Sequence, residues 1–314
     1  MKTFSYIFAG TSEISLTCLK ILLQQEFLQL KGLISQTDKA KGRKLKKQAS
    51  AIKKFALSNQ IPCWTPSSFK DSSFLEDIKQ ISADFCFVCA YGQILSPSFL
   101  NLFPKSCLNL HFSLLPKWRG ASPIQQALMN GDSKTGVSLQ IMTEKLDAGD
   151  VIASQEIPIQ SEDNAQSLFE KSFDVTQHLL KEKLLFYFQG KIKATVQNSL
   201  QATYAPKIDK KTARIEWNKE NFVIHNKVRA LVLGPQAFCF FKNKRLKIYR
   251  TQISPHLAGG FQAGEVYEVG KNKLSIACGK GVLNILELQK EGKKRQKIQD
   301  FLKGHFIQKK DCFT

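Results

Sequence analysis

Residues 83–92, ADFCFVCAYG, constrain the fold more than any other stretch of the chain. They form a continuous apolar run, with no alternation of apolar and polar positions. A strand of that texture is buried on both faces, which happens where helices cross over a sheet between parallel strands. The neighbouring text supplies such units. Residues 3–9 and 30–35 are short apolar strand candidates, and residues 14–25 between them carry apolar side chains at helical spacing. An amphipathic segment follows at 49–58, then a helix near 73–80. Further strands are expected at 107–111, 137–142 and 150–158, with helices at 123–130 and 165–188. The expectation is an α/β fold: a Rossmann-like, mostly parallel sheet with helices on both faces. Ligands of such sheets sit beyond the carboxyl ends of the strands. Gly10-Thr11-Ser12 lacks the GxGxxG spacing of a dinucleotide fingerprint.

At 314 residues the chain is too long for one compact core of typical size, so two domains are expected. The texture changes around 190–210, where GKIKATVQNSLQATYAPKIDKK is polar and lacks clear periodicity. That stretch reads as a linker running over the surface. After a helix at about 220–232, short strand candidates recur at 237–241, 245–252, 263–269, 273–278 and 282–288, separated by Gly- and Asn-bearing turns. Recurrence of this kind suggests a small, OB-like β-barrel. The expected organisation is a first domain at 1–190, a linker at 191–206 and a barrel domain at 207–314.

Charge separates these parts. The chain carries 46 basic and 26 acidic side chains, a net of +20. Residues 1–190 hold 21 basic against 17 acidic, and residues 191–314 hold 25 against 9. Within the first part, Lys39, Lys41, Arg43, Lys44, Lys46, Lys47, Lys53 and Lys54 fall in a stretch with no acid. A Lys-rich soluble surface is the bland alternative. Positive charge gathered into one loop and one domain instead favours a large polyanion, and nucleic acid is the commonest.

Eight cysteines lie mostly inside apolar runs, where a thiol packs as a small hydrophobe. Cys86 and Cys89 form a CxxC, but residues three apart on a strand face opposite ways, and no second pair completes a zinc site. No metal is therefore expected. Free thiols in apolar strands suit a cytoplasmic location. The apolar stretch 4–9 is too short for a signal segment, and no run reaches the ~18 apolar residues of a membrane span. Nothing in the text points to an obligate dimer, so a monomer is expected.

The densest run of polar and special residues is NLHFSLLPKWRGASPIQQALMNGD, at 109–132. Asn109 and His111 alternate on one strand, so their side chains share a face. Downstream, LDAGD sets Asp147 and Asp150 beside Gly149. An amine attacking an acyl carbon needs a proton acceptor, a donor to the developing oxyanion and a group that holds the acceptor. Imidazole suits the first. A directed amide donor suits the second and is worth about 3 kcal/mol. A nearby carboxylate suits the third. Taken singly, each residue has a plain structural reading: a satisfied histidine, a turn-closing asparagine, a turn aspartate before glycine, and in Arg119 a brace for a loop.

The stretch HFSLLPKWRGASPIQQALMNGDSKTGVSLQIMTEKLDAGDVI closely resembles the signature region of the folate-dependent formyltransferases. The likeness runs almost end to end and includes AGTS at the start, VCAYGQIL at 88–95, TYAPKI at 203–208 and ARIEW at 213–217. Within that group the chain looks like the members that act on charged initiator tRNA. The resemblance implies that 10-formyltetrahydrofolate gives its formyl group to the α-amine of methionine on that tRNA, with no metal. Carried over by position, Asn109, His111 and Asp147 match the catalytic trio. Ser113, Leu114, Leu115 and Pro116 match the folate-contacting loop, and Ala90, Tyr91, Gly92 and Ile94 a wall of the pterin pocket. Lys39, Lys41, Arg43, Lys44, Lys46 and Lys47 occupy the basic insertion that approaches the acceptor stem. Thr37 and Lys41 stand where that insertion usually has prolines, and Ser12 stands for a proline near the start. Two other readings stay open at this point: formylation of a small amine such as an amino-sugar nucleotide or glycinamide ribonucleotide, and an RNA-binding protein that kept only the fold.

Overall fold

The computed structural model describes residues 2–41 and 46–314. They cluster into two compact units. The first comprises the described residues up to 121 with 135–157 and 171–205, and the second 122–134, 158–170 and 206–314.

The first unit is built on a seven-stranded sheet. Its strands are β1 (Phe4–Gly10), β2 (Leu28–Ile34), β3 (Cys63–Trp64), β4 (Phe85–Cys89), β5 (Cys107–His111), β6 (Lys134–Ile141) and β7 (Val151–Pro158). Their order is β7-β6-β5-β4-β1-β2-β3. The pairs β1·β2, β1·β4, β2·β3 and β4·β5 are parallel, while β5·β6 is antiparallel. The parallel run follows from apolar strands linked by helical crossovers, and the order reverses between β1 and β4. A crevice opens beyond the carboxyl ends of the strands at such a reversal.

β4 is buried at every position. Phe85 and Phe87 stack on Tyr6 and Phe8 of β1, at 5.5 and 6.2 Å between ring centres. Cys86 and Val88 point the other way, into a cluster with Phe74, Ile78 and Phe99. Each such ring or aliphatic side chain removed from water stabilises by about 1.5–3 kcal/mol. Burial pushes the Cys86 thiol, which lies beside Cys107, well up, and does the same to Cys18 beside Cys89. The two cysteines of the CxxC thus serve opposite faces of the sheet.

The helix Glu13–Leu23 begins at Ser12, whose hydroxyl accepts from the Ser15 backbone N–H in a capping box. The serine that replaces a family proline is therefore a helix cap, worth about 1 kcal/mol. The long helix expected at 165–188 is continuous but not uniform: Ala165–Leu179 is α, Leu180–Leu184 is a π turn and Leu185–Phe188 is α again. The wider turn buries Leu179, Leu180 and Leu184 together.

In the second unit, β8 (Phe238–Phe241), β9 (Lys244–Ser254), β10 (Val266–Gly270), β11 (Lys273–Ala277) and β12 (Val282–Lys290) form an antiparallel sheet in the order β8-β9-β12-β11-β10. The chain's last residues close it. Phe240 and Thr314 exchange backbone hydrogen bonds on the β8 edge, Phe313 N–H donates to the Gly264 carbonyl, and Val266 N–H donates to the Asp311 carbonyl on the β10 edge. The closing residues bridge the two outer strands, so the sheet closes on itself as a barrel does. The helix Asn221–Ala230 packs on β9 and on the helix Pro123–Asn130. Among the described residues, no helix is long and apolar enough to cross a membrane.

Candidate active site

β5 and the antiparallel β6 beside it set the frame. Asn109 lies opposite Gln140, and His111 opposite Ser138. All four side chains therefore project from one face of the sheet at its carboxyl-terminal side. His111 is buried, and Asn109 is half-buried with no side-chain hydrogen bond to another described residue.

Asp147 reaches this face from the loop between β6 and β7. Its Oδ2 accepts from the Gly120 backbone N–H at 2.8 Å, and its Oδ1 accepts from the Gln140 Nε2 at 2.9 Å. Oδ2 also lies 3.6 Å from His111 Nδ1, beyond a direct hydrogen bond but close for a charge. The other ring nitrogen, Nε2, is 2.8 Å from the Trp118 carbonyl. A carbonyl can only accept, so Nε2 carries the hydrogen. In the neutral ring the lone pair is therefore on Nδ1, facing Asp147.

The loop that delivers Asp147 is tight. Asp147 itself is left-handed at φ 48°, a conformation that aspartate tolerates better than most residues. Two residues on, a Cβ at Gly149 would collide with the Ile141 carbonyl, so only glycine lets the loop lie against the end of β6.

The loop at 113–116 is pinned to the same strands. Ser138 Oγ donates to the Ser113 carbonyl at 2.7 Å and accepts from the Leu115 N–H at 3.1 Å. Ser113 Oγ donates to the Lys117 carbonyl at 2.6 Å. At the reversal of strand order, the carbonyl of Tyr91 accepts from Thr11 Oγ1 at 2.9 Å and from Gln36 Nε2 at 2.5 Å. Ala90 and Gly92 on either side are left-handed, at φ 46° and 81°. Ile94 and Leu146, both in loops of this unit, stand 87% and 65% exposed.

Asn109, His111 and Asp147 are thus assembled within one unit, and Ser113, Leu114, Leu115, Pro116, Ala90, Tyr91, Gly92 and Ile94 lie in loops at the carboxyl ends of its strands. The basic insertion is not assembled in the same way. Lys39–Lys41 and Lys46–Gln48 pair as a short antiparallel ribbon, and Lys47 is exposed. Arg43 and Lys44 lie outside the described residues.

Three polar residues of the site escaped the sequence reading in part or whole. Gln140 shares the face that β5 offers, and its polar side chain within the apolar text GVSLQIM was the available signal. Its Oε1 is buried and unpaired among the described residues. Arg119 braces a loop, as its simplest reading allowed, but through Gln197, a residue of the expected linker. Nothing in the linker's composition marks Gln197.

Comparison with known proteins gives this geometry a family. A formyl transferase model matches residues 1–184, and a formyl transferase C-terminal domain model matches residues 207–306. Methionyl-tRNA formyltransferase of Bdellovibrio bacteriovorus is 37% identical over 303 residues, which cover 96% of this chain and 95% of that protein. The protein of the same name from Streptococcus sanguinis is 38% identical over 298 residues, covering 95% and 94%. Among solved structures, the N-formyltransferase of Helicobacter canadensis in complex with folinic acid and dTDP-3-aminofucose matches with a TM-score of 0.66 at 21% identity, over 92% of this chain and 100% of that one. A variant of HypX from Aquifex aeolicus matches with a TM-score of 0.65 at 18% identity over 96% of this chain; the present chain spans 50% of HypX. At those identities the structural likeness speaks for the fold alone. With two family models end to end and full-length relatives above one-third identity, the chain belongs to the formyl transferase family.

Proposed function

We propose that this chain is a methionyl-tRNA formyltransferase: it moves the formyl group of 10-formyltetrahydrofolate to the α-amine of methionine on initiator tRNA. The amine nitrogen adds to the formyl carbon and gives its proton to His111 Nδ1. Asp147 faces that nitrogen and steadies the imidazolium as it forms. The Asn109 amide donates to the oxygen that gains charge. The bond from the formyl carbon to the folate nitrogen then breaks, and the imidazolium returns the proton to that nitrogen. No metal enters this scheme.

One observation carries the chemistry. Asp147 is held at both carboxylate oxygens and set against His111, whose other ring nitrogen is committed to the Trp118 carbonyl. That arrangement leaves one basic nitrogen and one orienting charge for a reacting amine. The folate reading places the pterin along 90–94 and 113–116, where loops meet exposed Ile94. The tRNA reading places the acceptor stem at the basic insertion with Arg43, and the tRNA body on the basic residues of 207–314. In this reading the domains are 1–190 and 207–314, joined by 191–206, and the enzyme works in the cytoplasm as a monomer.

The test is a formyl-transfer assay with charged initiator tRNA beside small amines, including an amino-sugar nucleotide and glycinamide ribonucleotide. The charged tRNA is expected to be the substrate used at a kcat/KM orders of magnitude above the rest. A small amine formylated as efficiently would overturn the assignment of the acceptor.

A further inference from the structure

The segment 191–206 was expected to run over the surface as a linker, yet it is stitched to the loop that carries Asp147. At its beginning, Val151 and Thr195 exchange backbone hydrogen bonds of 2.9 and 2.8 Å. At its end, Tyr204–Ala205 pairs in parallel with Arg119–Gly120. Between these anchors Val196 and Leu200 face solvent at 77% and 96% exposure, while Gln197 turns inward at 9%. Apolar side chains pointing out and a glutamine pointing in is the reverse of what burial alone would select.

The buried amide is fully used. Gln197 Nε2 donates to the Asp147 carbonyl at 2.9 Å and to the Gly149 carbonyl at 2.6 Å. Its Oε1 accepts from Arg119 Nε at 3.1 Å and Nη2 at 2.8 Å. Arg119 is itself 5% exposed. A buried guanidinium is costly unless its donors are met, and here a fork-like pair of them is aimed at one amide oxygen. Such a donor pair polarises the amide and strengthens the two bonds its nitrogen makes. The next residue, Gly120, sends its own N–H to Asp147 Oδ2. A Cβ at Gly120 would stand 2.6 Å from the Ala205 carbonyl, so only glycine lets the two short strands approach this closely. The Arg119–Gly120 strand thus fixes Asp147 twice: at the carboxylate directly, and at the backbone through Gln197.

We propose that Gln197, gripped by Arg119, is a positioning residue that holds Asp147 at its working distance from His111. The segment joining the chain's two parts thereby belongs to the catalytic apparatus. This inference rests on the catalytic reading of Asp147. A left-handed aspartate whose own carbonyl is clamped together with that of Gly149 is held in one place; released, it would drift by a fraction of an ångström or more. Displacements of about 1 Å cost on the order of 100-fold in rate.

The deciding variant is Gln197→Glu. A glutamate still receives Arg119, now as an ion pair, but has no N–H for the Asp147 and Gly149 carbonyls. Its second oxygen is repelled by those two carbonyls, so the 147–149 loop is released while Arg119 stays paired. Five proteins are compared for kcat, KM for folate and tRNA, the pH profile of kcat, and thermal melting: the native chain, Gln197→Ala, Gln197→Glu, Asp147→Asn and the double variant Gln197→Ala with Asp147→Asn. Expected are kcat losses of about 10- to 100-fold in both Gln197 variants, with each KM within about threefold, an altered acidic limb of the pH profile, and Gln197→Glu melting no lower than Gln197→Ala. Adding Gln197→Ala to Asp147→Asn should cost nothing more. Gln197→Glu at native kcat, with Asp147→Asn disabled, overturns the positioning role alone. Asp147→Asn at native kcat overturns the catalytic reading and the inference with it.

Discussion

The two units differ in where they place most of their charge and what their buried polar side chains hold. In the first, Gln140, Arg119 and Gln197 are buried, and between them they bind both ends of one aspartate. In the second, Asp163 is buried, but most of the charge stays on the surface. Six of the nine acidic side chains of 191–314 are engaged in ion pairs, with Lys227, Lys242, Lys273, Lys280, Arg295 and Lys303. Lys207, Lys210, Lys211, Lys293, Lys294, Lys297, Lys309 and Lys310 remain exposed without an ion pair among the described residues. The contrast separates two physical tasks. Proton transfer demands groups held to a fraction of an ångström, which buried hydrogen bonds supply. Holding a polyanion demands a field, and a field tolerates mobile side chains.

Breaking the buried half should have the largest effect. His111→Ala is expected to lower kcat by about 100- to 10,000-fold while leaving tRNA affinity within about threefold, measured by single-turnover assay and filter binding. A variant keeping a tenth of native kcat would remove His111 as the proton acceptor. The surface half should break differently, through salt. If about three phosphates are neutralised, affinity for tRNA should fall some tens-fold between 50 and 200 mM monovalent salt. A flat response would remove the electrostatic account. The smallest effect concerns His225 on the helix Asn221–Ala230, whose Nδ1 is 2.9 Å from Thr251 Oγ1. Burial, then the nearby Arg229, holds its pKa below the usual 6.5, against an opposing pull from Glu162. The folded state thus takes a proton less readily than the unfolded one. Stability present above pH 6.5 is lost as pH falls from there through the depressed folded value. His225→Gln should flatten that loss in melting curves taken from pH 7.5 to 5, and an unchanged slope would contradict the sign.

How far the sequence could be read follows the same division. Apolar runs at 83–92 and 107–111 announced strands because burial on both faces leaves a local signature. That Asn109 and His111 share a face which Asp147 approaches was legible because a motif places all three within forty residues. Features decided by distant partners were not. The alternation of strand and helix gave no hint that β6 enters antiparallel to β5, although this is what brings Gln140 opposite Asn109. The closing of the barrel by Asp311–Thr314 depends on pairing with Phe240 and Gly264–Val266, far back in the chain. Gln197 was hidden for the same reason. Its segment has the composition of a surface linker, and only Arg119 and the 147–149 carbonyls make its side chain turn inward. Local texture records burial, whereas polar networks are written in pairs.

The division of labour itself is tested most directly by one single-turnover experiment at saturating charged initiator tRNA. It compares Asp147→Asn with the triple variant Lys293→Gln, Lys294→Gln and Lys297→Gln. The barrel variant should keep the native rate once saturated and show its defect as a raised KM and a shallower salt slope. Asp147→Asn should bind normally and lose at least about 100-fold in rate. A barrel variant as slow at saturation as Asp147→Asn would mean that the charged surface takes part in the chemical step, and the separation drawn between the two units would fall.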